Sequence, residues 1–125
     1  MANPNIAGLT TVKGKSVGVV LSTTNETNLV TNASNSGNVL KINSVVISNV
    51  DGTNSATIDV ILNKTANASP AQTYYLAKTV TVPANANLVV VSKDIQLYLE
   101  ENNSIVLQAS AANHLQAICS YEEIQ

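Results

Sequence analysis

The residues with the most chemical potential in this sequence are a single cysteine and a single histidine, Cys119 and His114. Together they could make a thiol nucleophile and its base. Their spacing works against it. Five positions apart on a strand, they would point to opposite faces. Cys119 also falls in register with Leu115 and Ala117, where a thiol is a small core residue rather than a reactive one. His114, beside Asn113 in a turn, reads as a solvated loop histidine. One histidine and one cysteine are too few soft ligands for zinc.

Gly14, Lys15 and Ser16 match the end of a phosphate-binding loop, G-x-x-x-x-G-K-[ST], but the glycine required at position 9 is Leu9. The residues that follow, 17–21, favour a strand where that motif needs a helix N-terminus facing the phosphate. Asp51, Asp59 and Asp94 match no calcium-loop spacing. Glu100-Glu101 and Glu122-Glu123 are adjacent pairs, whereas sugar hydrolysis needs two carboxylates facing one another across a cleft. They read instead as charge that keeps exposed strand ends from pairing with other chains. The N-x-[ST] triplets at Asn25, Asn32, Asn63, Asn67 and Asn102 arise by chance in a chain so rich in Asn, Ser and Thr. No catalytic set, metal or cofactor is expected.

The elements that would position any site are strands. Residues 95–110, IQLYLEENNSIVLQAS, alternate apolar and polar on both sides of Asn102 and Asn103, which predicts a hairpin. Its dry face would hold Ile95, Leu97, Leu99, Ile105 and Leu107, and its wet face Gln96, Tyr98 and Gln108. Residues 9–21 are strand-like, and residues 29–30 make a short strand at best. Residues 39–50 form a long strand whose apolar positions switch face around Asn43 and Ser44, the mark of a β-bulge or of a strand shared between two sheets. Asp51-Gly52 is a turn signal, so residues 39–50 and the alternating run 58–63 are expected to pair as a hairpin. Residues 64–72, with Pro70, form a loop. Residues 74–82 alternate up to Pro83, residues 88–91 read as a strand buried on both faces or as a sheet crossover, and residues 115–122 alternate again.

About eight strands and no amphipathic helix argue an all-β, single-domain, two-layer β-sandwich, either jelly-roll-like or immunoglobulin-like. Residues 1–8, with Pro4 and Gly8 and no periodicity, read as a flexible N-terminal arm, and residues 9–125 as the sandwich domain. The core must be built from Val, Leu and Ile, because the chain has no Phe and no Trp.

Composition narrows the partners. Six Lys, no Arg, eight acidic residues and a net charge of −2 provide no basic stripe for nucleic acid. No apolar run approaches the length of a membrane-spanning helix, and the opening residues lack the pattern of a secretory signal. A lone cysteine fits synthesis in a reducing cytosol. With only 11% charged residues, the surface is one that permanent packing against other subunits tolerates. Tyr74, Tyr75 and Tyr98 are the side chains best suited to such contacts. Gln96 and Gln108 beside Tyr98, and Asn3, Pro4, Asn5 and Ile6 in the arm, complete the candidate subunit interface.

The segments LTTVKGKSV (9–17), INSVVISNVDGTNSATIDV (42–60), TVPANANLVVVSKDIQLYLEENNSI (81–105) and ASAANHLQAICSYEEI (109–124) resemble a family of small virion structural proteins of tailed bacteriophages, particularly those of marine cyanobacteria. The resemblance spans most of the chain and is most specific from the proline turn to the C-terminal CSYEEI. It implies a non-enzymatic component of the virion, made in the host cytoplasm. The expected role is that of a capsid decoration, or cement, protein, a homotrimer bound to the major capsid protein, with no small-molecule substrate. A tail, neck or fibre component, and a glycan or host-surface recognition module, are the other expectations.

Overall fold

A computed structural model describes residues 5–8, 10–64 and 72–125. Nine strands carry the fold: β1 (Val12–Val20), β2 (Thr27–Asn32), β3 (Val39–Asn49), β4 (Ala56–Lys64), β5 (Gln72–Val82), β6 (Asn87–Val91), β7 (Leu97–Leu99), β8 (Asn103–Ala109) and β9 (Leu115–Ile124). Two single 3-10 turns, Ile6–Gly8 and Lys93–Ile95, are the only helical segments among the described residues. The strands form two antiparallel sheets. Sheet A has the order β1-β9-β3-β6, with β7 also on β3, and sheet B has the order β2-β8-β4-β5.

β6 and β7 lie one after the other along the same edge of β3. β6 pairs with residues 45–48 and β7 with residues 40–42, and the turn Lys93–Ile95 separates them. They are one strand position broken in two, so the sandwich has two layers of four positions, wound as a jelly roll. Sandwich architecture and the absence of an α-helix among the described residues match the expectation, and of the two topologies considered the strand order selects the jelly roll.

In this winding the chain changes sheet at nearly every turn, which overturns two expected hairpins. β3 lies in sheet A and β4 in sheet B, so the Asp51-Gly52 turn carries the chain across the sandwich. β7 and β8 are likewise in different sheets, so residues 95–110 form an arch rather than a hairpin. Alternation reports which side of a strand is dry, and an arch and a hairpin have the same dry side. Ile95 leaves the expected dry face altogether: it sits on the 3-10 turn and is 61% exposed. β6 is an edge strand rather than one buried on both faces, and Val89 points outward.

The bulge read from the sequence is present. The pairing of β3 with β9 skips a residue between Ile42 and Ser44, so Leu40 and Ile42 before the skip and Val45 and Ile47 after it all face inward. They meet Leu21, Ile58, Val60, Leu99, Ile105, Leu107 and Leu115 in a core of branched aliphatic side chains. Tyr121 packs at its margin.

Two buried asparagines brace the sheets against each other. Asn49, at the end of β3 in sheet A and 3% exposed, donates Nδ2 to the carbonyls of Asn54 and of Val82 in sheet B, both at 2.9 Å, and its Oδ1 accepts from the Asp51 amide at 2.9 Å. At the other end of the sandwich Asn32, last residue of β2 in sheet B, donates to the carbonyls of Asn38 at 2.9 Å and of Leu99 in sheet A at 3.0 Å, and accepts from the Ser36 hydroxyl. A carboxamide suits both places, because one side chain supplies donors and an acceptor to backbone groups that strand pairing leaves over.

Candidate interaction surfaces

The thiol and the imidazole of the sequence reading are not brought together as a reactive pair. Cys119 lies on the inner face of β9 with no exposed surface, and burial pushes its thiol up to about 12 from 9.0. The group therefore stays protonated at neutral pH and is no nucleophile. The unfolded chain ionises this thiol from about pH 9, whereas the folded chain holds it neutral. The stability it supports is thus intact below pH 9 and is lost as pH rises from there towards 12. Urea unfolding midpoints are expected to fall more steeply with pH above 9 for the natural chain than for Cys119→Ala, and a thiol reagent should modify Cys119 only after unfolding. Equal alkaline slopes in the two proteins would contradict the buried neutral thiol.

His114 is not the solvated histidine expected. It is mostly buried, its Nε2 lies 3.4 Å from Asp51 Oδ2, and its carbonyl accepts from the Val50 amide at 2.8 Å. Asp51 in turn closes the crossing turn, accepting from the amides of Thr53 at 2.7 Å and Asn54 at 2.8 Å. Those amides of Asn54 and Thr53, with a smaller contribution from His114, hold its carboxyl below the usual range. The Asp–His contact thus belongs to the turn that joins the sheets. Glu101 also departs from the expected solvated charge: it is buried, and its Oε2 accepts from the Gly37 amide at 3.3 Å. Glu100 meets Lys64 at 3.4 Å and Glu123 meets Lys15 at 3.1 Å. No cluster of metal-ligating side chains occurs among the described residues.

The candidate interface residues fall in four places. Tyr74 and Tyr75 are on β5, the edge of sheet B. Each is 49% exposed, and the Lys78 ammonium stands 4.2 Å from the Tyr75 ring centroid. Tyr98 is on β7 opposite Lys41, 45% exposed, with Gln96 exposed just before it, at the edge of sheet A that β6 and β7 form on the same side of the sandwich as β5. Gln108 is on β8 in sheet B, half-buried, and donates to the Thr24 carbonyl at 3.2 Å, so it does not share a wet face with Gln96 and Tyr98. Asn5 and Ile6 are exposed on the turn that precedes β1, where Asn5 Oδ1 accepts from the Ala7 amide at 3.0 Å. Asn3 and Pro4 lie outside the described residues, as does most of the loop 64–72.

The sequence reading missed the outer faces of the two sheets. Sheet A carries a row running Gly18, Ile118, Val46, Val89 across its four strand positions, because these residues are cross-strand partners in turn. Ile118 is 51% and Val89 55% exposed. One neighbouring row is Val20, Gln116, Ser48, Asn87, and the other is Ser16, Ser120, Ser44. No residue in these three rows is charged. The charges of this face begin one row further on, at Glu122 and Lys41. Gly18 lacks a side chain between Val20 and Ile118, and a depression of about 380 Å³ opens there.

Sheet B presents a different surface. A depression of about 400 Å³ is lined by Thr24, Thr57, Asp59, Thr79, Gln108 and Ser110, mostly hydroxyls and amides. Thr79 has φ 51, an unusual backbone for a β-branched residue, held by Asp59 Oδ1 accepting from its amide at 2.6 Å. The pairing of β4 with β5 skips there, so the side chains around Asp59 are turned into the depression by a bulge.

Fold and surfaces together define a jelly roll with two differently built outer faces. No family model matches the chain, and no curated protein matches its sequence. Among solved structures the chain is similar in fold to one from the acidic stable capsid of Helicobacter pylori bacteriophage KHP30, with a TM-score of 0.51 and 11% identity, over 94% of this chain and 90% of that one. The two chains are therefore nearly equal in length. Weaker similarities are to chains of the T13 IBDV viral particle (TM-score 0.41, 8% identity, 89% of this chain and 31% of that one) and of the infectious bursal disease virus Gx strain (0.41, 9%, 90% and 33%). At such identities the likeness is one of fold.

Proposed function

We propose that the chain is a structural component of a virus particle, and within that class a decoration protein that binds an assembled shell. The observation that carries the reading is the jelly roll matched almost end to end by a chain of equal size in a bacteriophage capsid. The match covers most of both chains, so the likeness is of one jelly roll to another rather than of a fragment to a larger subunit. The resemblance of residues 9–17, 42–60, 81–105 and 109–124 to small phage virion proteins points the same way. Bound copies stabilise a shell as any ligand of the assembled state does, and the effect multiplies with copy number. Tyr74 and Tyr75 on the edge of sheet B, Gln96 and Tyr98 on the adjoining edge of sheet A, and the segment around Asn5 and Ile6 are the proposed contacts with the major capsid protein and with neighbouring copies, in a symmetric trimer on the shell.

Copy number in purified particles tests this directly. Hundreds of copies are expected. Six or twelve would place the protein at the tail or neck, and none would remove the virion reading. Deleting residues 1–8 is expected to weaken binding to empty shells while the thermal unfolding of the domain stays unchanged. Unaltered shell binding would exclude the arm from the contact.

The hydroxyl-lined depression around Asp59 and Thr79 favours a second reading, recognition of glycans, since jelly rolls also serve as lectins. Retention on a glycan array, reduced by substituting Thr57 and Ser110, would support it over decoration.

A further inference from the structure

We propose that the outer face of sheet A is a self-complementary surface on which two copies of this chain pair about a two-fold axis. The apolar row Gly18, Ile118, Val46, Val89 and its neighbour Val20 form one patch across the sheet, with exposed branched side chains standing beside a hole. Ile118 and Val20 are the projections, and the depression over Gly18 is the hole, about 380 Å³ in volume. In a two-fold contact each surface meets its own copy, so a projection of one chain enters the hole of the other and the reverse contact follows by symmetry.

Charge selects the occupant. A partner of a different kind is ordinarily chosen by opposite charge across the contact. Here the three central rows are uncharged, and two such faces meet without repulsion. The serine row Ser16, Ser120, Ser44 and the residues Ser48 and Gln116 add short or uncharged polar groups at the rim, which keep the face flat enough for close approach.

Area sets the strength. Four strands about 4.8 Å apart and three rows about 7 Å apart give a patch of roughly 400 Å². Pairing two of them removes about 800 Å² in all, below the roughly 1,200 Å² of stable specific complexes. The free chain is therefore a monomer when dilute and pairs when concentrated, as it would be on a surface crowded with copies. The pairing does not require the virion reading. Shell binding by a chain that never self-associates would sink this proposal and leave that one standing.

Sedimentation equilibrium from about 10 μM to about 1 mM, the range over which so small an interface responds, reads the association. The natural chain is expected to move from one chain mass towards two, and Ile118→Lys to remain at one throughout. Gly18→Val is the sharper test. A Cβ at position 18 meets the Ala117 carbonyl at 3.5 Å, an ordinary contact, so the variant is expected to fold. It fills the hole while making the face more apolar. Knob-in-hole pairing predicts at least a tenfold weaker association for Gly18→Val, whereas unspecific stickiness predicts a stronger one. A natural chain that stays monomeric at the highest concentration, one that reaches three chain masses with no two-chain species, or a Gly18→Val chain that associates as well as the natural one would each overturn the proposal. Circular dichroism and thermal melts check that both variants are folded.

Discussion

Asn49→Ala is expected to lower the unfolding free energy by about 3 kcal/mol, because the substitution leaves two carbonyls and an amide without partners at once. The Val82 carbonyl is in a buried bond and cannot turn to water, while the Asn54 carbonyl and the Asp51 amide are nearer the surface and recover part of their loss. The corresponding fall in melting temperature is about 10 °C for a domain of this size. Asn49→Asp is expected to be at least as damaging: it removes the donors and places a carboxylate against two carbonyl oxygens. Asn25, exposed beside the β1–β2 turn, is the control, and its change to Ala should cost no more than about 0.5 kcal/mol. Thermal and urea unfolding measure all three. A loss below about 1 kcal/mol for Asn49→Ala would mean that the carboxamide does not brace the sheets.

The second large effect is expected in the core, and it also decides how residues 95–110 are folded. Leu107, with no exposed surface on β8, faces the inside of sheet B. Leu107→Ala removes buried carbon and leaves a cavity, for a loss of about 3–4 kcal/mol. Ile95→Ala should lose less than about 0.5 kcal/mol, because this side chain is 61% exposed. A hairpin with one dry face would put the two side chains in the same layer and make both substitutions costly. Chemical unfolding of the pair therefore separates an arch between sheets from a hairpin within one.

Those two residues also mark what could be read from the sequence. Period-2 alternation identified the inner faces of β8 and β9 and the parity change at Asn43, since each depends only on a strand having one dry side. It could not identify partners. The Asp51-Gly52 and Asn102-Asn103 signals mark reversals correctly, yet both reversals pass from one sheet to the other, and turn chemistry does not encode which sheet receives the chain. The two bracing asparagines were hidden by composition: Asn32 and Asn49 look like many other asparagines, and only their buried hydrogen bonds to the opposite sheet distinguish them. Among the proposed contact residues, Tyr74, Tyr75 and Tyr98 are exposed at sheet edges, while Gln108 is held by the Thr24 carbonyl. The uncharged face of sheet A was missed because its row is assembled from four distant segments. Gly18, Val46, Val89 and Ile118 become neighbours only once the register is known.

The strand order also fixes a sequence of events in time. β9, the last strand in the chain, lies between the first and the third, so sheet A has no centre until residues 115–124 have been made. Sheet B needs nothing beyond Ala109. During synthesis sheet B is therefore able to close first, with the inner faces of β1 and β3 waiting uncovered along one side. Pairings between such distant segments form slowly, on the scale of milliseconds to seconds, and leave apolar strand surface open in the interval. Were the chain made in many copies, as the proposed role requires, it would cross that interval many times at once. The scarcity of charge that suits its surface to packing is also what exposes its nascent form to capture by other chains.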